Sequence, residues 1–284
     1  MLDLSGKLDR ELILALSHIS EAADRAGIRF LLVGATARNL MLEVACGVRV
    51  ARATYDVDIA VRVASWVEYE RLGSELQDNH QFVKSISAPH RLQTSGLMTV
   101  DLIPFGPIAG EEEKIAWPPE GNWVLNVEGF ECALNHADEV LIRSVPHLSV
   151  NVTSLPAQAV LKTISWDSNP ARGKDAFDLY IIIAHYLDTP NLDRLATDAR
   201  DLVTEPPSPL HEIGAELLGR DMAGVCDDLK LAGHIGAILS RETAPSDKHT
   251  LISAMIPAAG SSTSPDEILA LLQLLQRGFR TRAL

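Results

Sequence analysis

Apolar residues recur at helical spacing through residues 8–26, at Leu8, Leu12, Leu16, Ile19 and Ala23, and Gly27 ends the run. That spacing predicts an amphipathic helix. A short β-type run, Ile28-Arg29-Phe30-Leu31-Leu32-Val33, follows and closes on Gly34. Residues 36–45, TARNLMLEVA, read as a helix that begins immediately after that glycine. Residues 55–63, YDVDIAVRV, alternate strictly and predict a strand. A helix is expected over 65–78, with Trp66, Tyr69 and Leu72 or Leu76 on one face, and further strands over 81–87 and 97–103. Proline, glycine and an EEEK run between Pro104 and Asn122 predict an exposed loop. His147-Leu148-Ser149-Val150-Asn151-Val152 is the last strand, and from Pro156 onward the pattern is mostly helical. TEPPSP at 204–209 reads as a turn or short linker, because prolines fix φ and remove donors. The expected class is therefore α+β: a mixed-sheet domain over 1–153, then a mainly α-helical domain over 154–284.

Composition narrows the function classes. A chain of 284 residues holds one large domain or two modest ones, and a hydrophobic fraction of 46% argues against disorder. The net charge of −13 repels phosphate backbones and excludes broad, nonspecific nucleic-acid binding. It leaves room for a local basic cleft, and it suits a site that gathers carboxylates around a metal. Cys46, Cys132 and Cys226 are scattered and lack CxxC spacing, which predicts reduced thiols rather than a disulfide framework or a zinc site. The opening MLDLSGKLDREL lacks the basic, then apolar, order of a signal peptide, and no segment has the unbroken apolar length of a membrane span. A soluble, cytoplasmic protein with no membrane partner is expected.

The chemistry concentrates in Arg52-Ala53-Thr54-Tyr55-Asp56-Val57-Asp58. On a strand, residues two apart share a face, so Asp56 and Asp58 present paired carboxylates while Val57 and Ile59 face a core. Adjacent carboxylates repel unless a cation lies between them, and Mg²⁺ is the hard ion that takes one or two carboxylates plus phosphate oxygens. A DxD alone is common. Here it follows a strand–glycine–helix turn, Val33-Gly34-Ala35-Thr36-Ala37-Arg38, whose glycine lets phosphate approach the backbone. It precedes Met98-Thr99-Val100-Asp101-Leu102-Ile103, a strand whose Asp101 adds a third carboxylate if it pairs beside the first. Arg38 and Arg52 are basic groups near a triphosphate placed there, and His90-Arg91, between strands, is a candidate contact to an acceptor. Trp66, Trp117, Trp123 and Trp166 read as core or interface residues.

Glycine turn, DxD strand and later single-Asp strand together resemble the polymerase-β nucleotidyltransferase superfamily. Farther on, LPAQAVLKTISW (155–166) is followed by RGKDAFDL (172–179). This pairing resembles the AbiEii/AbiGii-type nucleotidyltransferase toxins, including the MenT group, over roughly residues 28–185. The resemblance implies a polymerase-β-like catalytic domain, Mg²⁺ held by Asp56, Asp58 and Asp101, and Gly34 as the phosphate-facing glycine. It further implies nucleotide-phosphate contact by Lys162 and a downstream acid at Asp175 or Asp178. Many superfamily members carry Gly-Ser at the first motif. Here Ala35 follows the glycine, so Thr36 or backbone N–H groups must serve the triphosphate instead.

The resemblance implies transfer of a nucleoside monophosphate from an NTP to the 3′ end of tRNA, within a toxin–antitoxin system whose cognate antitoxin is a further partner. Two other readings remain open: a small-molecule nucleotidyltransferase of the aminoglycoside kind, and a non-catalytic member that binds nucleotide or a partner protein.

Overall fold

The structure, a computed structural model, describes residues 1–50, 56–86, 88–96, 98–118, 121, 124–206, 208–245, 249–260 and 263–282. The chain divides into two units, residues 1–45 with 50–154 and residues 46–49 with 155–284.

The first unit opens with β1 (Leu2–Asp3) and α1 (Arg10–Ala26). The Asp9 carboxylate caps α1 by accepting from the Glu11 N–H at 2.7 Å, and the predicted stripe of Leu12, Leu16, Ile19 and Ala23 is buried. Then come β2 (Arg29–Val33) and α2 (Gly34–Asn39), which runs directly into a π-helical turn over Leu40–Val44. After these follow β3 (Asp56–Arg62), α3 (Trp66–His80), β4 (Val83–Lys84), β5 (Arg91–Gln93) and β6 (Thr99–Phe105). The unit closes with β7 (Lys114–Ala116), β8 (Val124–Asn126), α4 (Phe130–Asn135), β9 (Asp138–Arg143) and β10 (Leu148–Val152).

Eight of these strands form one mixed sheet in the order β1-β9-β10-β2-β3-β6-β5-β4, and β7 pairs with β8 apart from it. The pairs β1–β9, β10–β2 and β3–β6 are parallel, whereas β2–β3, β9–β10, β5–β6 and β4–β5 are antiparallel. A parallel β3–β6 pair needs a crossover, and α3 with the β4–β5 hairpin supplies it. Leu16 and Ile19 of α1 and Leu72 and Leu76 of α3 share one core with Leu32, Val57, Ile59, Val61, Val100 and Leu102 of the central strands. Each such side chain contributes about 1.5–3 kcal/mol by leaving water. That burial sets the register of β3, because a slip of one residue would turn Val57, Ile59 and Val61 out and the aspartates in.

Several elements depart from the sequence expectation. The strand expected over 81–87 shrinks to β4, since its partner β5 is itself only three residues long. The loop expected from Pro104 to Asn122 contains the end of β6, a 3₁₀ turn at Pro107–Ala109 and β7. The helix expected over 36–45 begins two residues earlier, at Gly34 itself.

The second unit contains α5 (Leu155–Ser168), α6 (Gly173–His185), α7 (Leu210–Val225), α8 (Leu229–Thr243), α9 (Thr250–Ala259) and α10 (Pro265–Arg282). Two 3₁₀ segments, Pro190–Ala196 and Arg200–Leu202, link α6 to α7. Asp221 of α7 accepts from the Tyr186 hydroxyl at 2.6 Å and from Arg194 Nη1 and Nη2 at 2.5 and 3.1 Å, which ties the first of these segments to the helix. The helices α7 and α10 meet backbone to backbone. A Cβ on Gly219 would lie 2.0 Å from the Leu275 carbonyl oxygen, and one on Gly278 would lie 1.9 Å from that of Glu216. Among the described residues, no helix is long and apolar enough to cross a membrane.

Candidate active site

Asp56 and Asp58 leave β3 on the face opposite Val57 and Ile59, which are 3% and 0% exposed. Strand β6 runs parallel to β3 with Asp101 opposite Asp58 and Thr99 opposite Asp56. Partners in register share a face of the sheet, so the pairing sets Asp101 beside the DxD pair. On the other flank β2 pairs Val33 with Asp58, and the chain turns into α2 at the next residue.

That residue, Gly34, has φ of +71°. A Cβ built there would lie 2.0 Å from Asp58 Oδ2 and 2.9 Å from its Cγ. The left-handed backbone and the close carboxylate both exclude a side chain. Gly34→Ala should therefore cost about 2–4 kcal/mol in a urea melt, combining left-handed strain with overpacking. A loss under about 0.5 kcal/mol, the ordinary range for surface substitutions, would show that Asp58 does not hold this position against the glycine.

A positive group sits in the carboxylate cluster. Arg91, the first residue of β5, pairs with Asp101 in the antiparallel β5–β6 register. Its Nε donates to Asp101 Oδ1 and its Nη2 to Asp101 Oδ2, both at 2.8 Å, and Nη2 also donates to Asp56 Oδ2 at 3.2 Å. This two-pronged grip is the strong form of the arginine–carboxylate pair. The bonds to Asp101, reinforced by the charges of Asp56 and Asp58, hold the Arg91 pKa above its already high value. The neighbouring His90 behaves oppositely. Burial pushes its pKa down, against the pull of Asp101, whose Oδ2 is 3.9 Å from His90 Nε2. The His90 ring packs on Trp117 at 5.4 Å, and Trp117 on Trp66 at 5.9 Å. Tyr69 adjoins Trp66 at 5.5 Å and donates its hydroxyl to the Leu102 carbonyl at 3.1 Å. An aromatic wall thus backs the β6 side of the site, in keeping with the core role expected of Trp66 and Trp117; Trp123 lies outside the described residues.

The other residues singled out near the glycine turn are engaged differently. Thr36 is buried, and its hydroxyl donates to the Asp56 carbonyl at 3.0 Å, so it anchors the start of β3. Arg38 is 0% exposed, with Nε and Nη2 donating to Asn39 Oδ1 at 3.2 and 2.7 Å. The sequence expectation set Arg38 beside a triphosphate; in the structure the residue is buried. Arg52 lies outside the described residues. Beside Asp56, a cleft of about 310 Å³ opens between the start of α1, α2 and the π-helical turn, reaching Lys7, Thr36, Asn39, Glu43 and Met98.

The second unit brings the remaining predicted residues together in a cluster of their own. Lys162 Nζ of α5 lies 3.0 Å from Asp175 Oδ1 and 2.6 Å from Asp178 Oδ2 of α6, and Ser165 Oγ donates to Asp175 Oδ2 at 3.0 Å. Both acids are buried, while Lys174 is exposed. The lysine one helix earlier thus stands within 3.0 Å of both acids, and Arg172 Nε lies 3.8 Å from Asp175 Oδ2. Burial lowers the Lys162 pKa, but Asp178 and Asp175 more than offset this and leave it raised. Burial raises that of Asp175, yet Lys162 and its neighbours hold it below the usual carboxylate range.

Among the described residues, no group of three or more His, Cys, Asp and Glu side chains stands at metal-binding geometry. The donor type at β3 and β6, carboxylate oxygen, is nonetheless the one a hard divalent cation takes. Three aspartates share one face, and the Arg91 guanidinium is bonded to two of them, Asp101 and Asp56.

No protein-family model matches the chain, and no curated protein matches it in sequence. Among solved structures it is similar to ANT(2″)-Ia in complex with adenylyl-2″-tobramycin, at 14% identity over 61% of this chain and 87% of that one, with a TM-score of 0.36. A solution structure of the antibiotic-resistance factor ANT(2″)-Ia is similar over 68% of this chain and 95% of that one, at 14% identity and a TM-score of 0.36. A CCA-adding enzyme with CTP is similar over 95% of this chain and 80% of that one, at 13% identity and a TM-score of 0.32.

Proposed function

We propose that the first unit is a nucleotidyltransferase catalytic domain that moves a nucleoside monophosphate from an NTP to an acceptor hydroxyl and releases pyrophosphate. The observation that carries this reading is the alignment of Asp58 with Asp101 across parallel β3 and β6, with Gly34 against the Asp58 carboxylate. In the proposed reaction the acceptor oxygen forms a bond to the α-phosphorus, its hydroxyl proton leaves to solvent, and the bond from that phosphorus to the β-phosphate bridging oxygen breaks. Asp56, Asp58 and Asp101 would hold magnesium, which when bound neutralises triphosphate charge and makes the hydroxyl easier to deprotonate. The chain's own task is positioning, because phosphoryl-type transfer needs alignment and charge neutralisation more than a covalent nucleophile. The missing side chain at Gly34 lets the Asp58 carboxylate stand against the backbone where β2 turns into α2. The cleft lined by Asp56 is a place for one reactant beside that carboxylate.

For the acceptor, the resemblance of residues 155–179 to the toxin family favours the 3′ end of tRNA, with growth arrest as the outcome and an antitoxin as partner. The net charge of −13 favours the second reading, a small cationic acceptor of the aminoglycoside kind. Incubating the full chain with each α-labelled NTP, Mg²⁺ and either total tRNA or aminoglycosides separates them. Label on tRNA 3′ ends is expected. Label on the aminoglycoside with unmodified tRNA would hand the acceptor to the second reading, and label on neither would leave a nucleotide- or partner-binding protein. Binding of tRNA should weaken with salt at a shallow log–log slope of about two to four, as an acidic protein touching few phosphates requires.

A further inference from the structure

The Arg91 guanidinium occupies both carboxylate oxygens of Asp101 and one of Asp56. It spans Asp101 with two bonds of 2.8 Å and reaches Asp56 with a third at 3.2 Å. A carboxylate gripped on both oxygens by one cation is a poor ligand for another, since the incoming charge meets repulsion and must break charge-assisted bonds to bind well. The placement is built into the fold. Arg91 opens β5 directly across from Asp101, the Leu102 N–H donates to the His90 carbonyl at 2.8 Å, and His90 is packed on Trp117.

We propose that Arg91 is a resident counter-cation that competes with divalent metal for Asp101 and Asp56, so that metal loads well only together with nucleotide. This rests on the nucleotidyl-transfer reading. Metal alone must displace the guanidinium for the sake of carboxylate oxygens only. Metal arriving with a triphosphate brings phosphate oxygens as further ligands, and it offers the displaced guanidinium the bidentate anionic partner for which arginine is suited. The carboxylate cluster is thereby kept neutralised between turnovers, and the order of loading follows from one side chain.

Mn²⁺ binding to the full-length protein, read by electron paramagnetic resonance without any turnover, tests this. Without nucleotide, Arg91→Gln should bind Mn²⁺ more tightly than wild type, on the order of tenfold, the loss of one charge-assisted contact. Adding an NTP analogue that cannot be cleaved between its α- and β-phosphorus atoms should shrink or reverse that gap. In EDTA, Arg91→Gln should melt below wild type, and Mn²⁺ should raise its melting temperature by more. Arg91→Lys, which keeps a charge but loses the two-pronged grip, should shift metal affinity in the same direction by less. It also keeps the test alive if Arg91→Gln folds poorly. Equal or weaker Mn²⁺ binding by both variants without nucleotide overturns the competition. Asp58→Asn separates this from the underlying reading: if it binds Mn²⁺ as wild type does, the cation is not held at this site and the nucleotidyl-transfer assignment itself fails.

Discussion

Asp58→Asn is expected to reduce nucleotide transfer by roughly a thousandfold or more, the scale of a lost metal ligand at a charge-stabilising site. The substitution keeps shape and removes charge. Asp58 lies between Gly34 on one flank and Asp101 on the other, while its neighbours Val57 and Ile59 fix β3 in the core and are untouched. The sheet should therefore survive. In EDTA the melting temperature should equal or exceed that of wild type, because one of three adjacent negative charges has gone and Arg91 still neutralises Asp101 and Asp56. Asp56→Asn should behave alike in transfer. Near-normal transfer by Asp58→Asn in Mg²⁺ would sink the assignment of these carboxylates to the metal. A collapsed melting temperature would mean that Asp58 serves the fold.

The second large effect is on stability. We assign Lys162 to holding α5 against α6, because its single charge is already shared between Asp175 and Asp178. Lys162→Ala should cost about 3–5 kcal/mol, the penalty for leaving buried charge uncompensated. Its pH dependence carries the diagnosis. In the wild type the depressed Asp175 pKa contributes stability that is present above the unfolded carboxylate value and is lost only as pH falls through the lower folded value. The raised Lys162 pKa contributes stability that is present below the unfolded lysine value and is lost as pH rises through the higher folded one. Both contributions are whole between neutrality and about pH 5. In the variant the buried carboxylates lose their nearest cation, which favours their protonated forms, and the folded state takes up protons. Its stability should rise as pH falls, and the gap to wild type should narrow between urea melts at about pH 7.5 and pH 5. A variant that melts like wild type yet has lost transfer would return Lys162 to the phosphate-contacting role that the family resemblance implies.

Much of the carboxylate site was legible in the sequence because it lies on period-two strands. Alternation from Asp56 to Arg62 separates Val57, Ile59 and Val61 from the aspartates, and the single Asp101 amid Val100 and Leu102 marks a strand with the same alternation. Arg91 was visible only as a basic residue between strands. Its strand is three residues long, too short for any period to declare which side chain faces Asp101. The register that aims it is a product of pairing with β6. β9 escaped for a related reason: Val140, Leu141 and Ile142 are all buried, so no alternation shows, and three apolar residues between charged flanks fit several local structures. The burial of Arg38 could not be read either. A helix after a glycine turn has one face toward a ligand and another toward the protein, and which of them receives residue 38 depends on packing.

The order of strands in the sheet sets a condition on making the protein. β2, at residues 29–33, has β3 on one edge, and on its other edge β10, at residues 148–152, pairs with it through Val152 opposite Leu32. At synthesis rates of about 5–20 residues per second, that second edge stays open for about 6–24 s after β2 has been made. Throughout that interval an apolar strand with unpaired backbone groups is exposed on the ribosome, where it is a template for wrong pairing. A nascent chain that stops short of Leu148 already carries all three carboxylates, yet lacks the strand that joins β2 to β9.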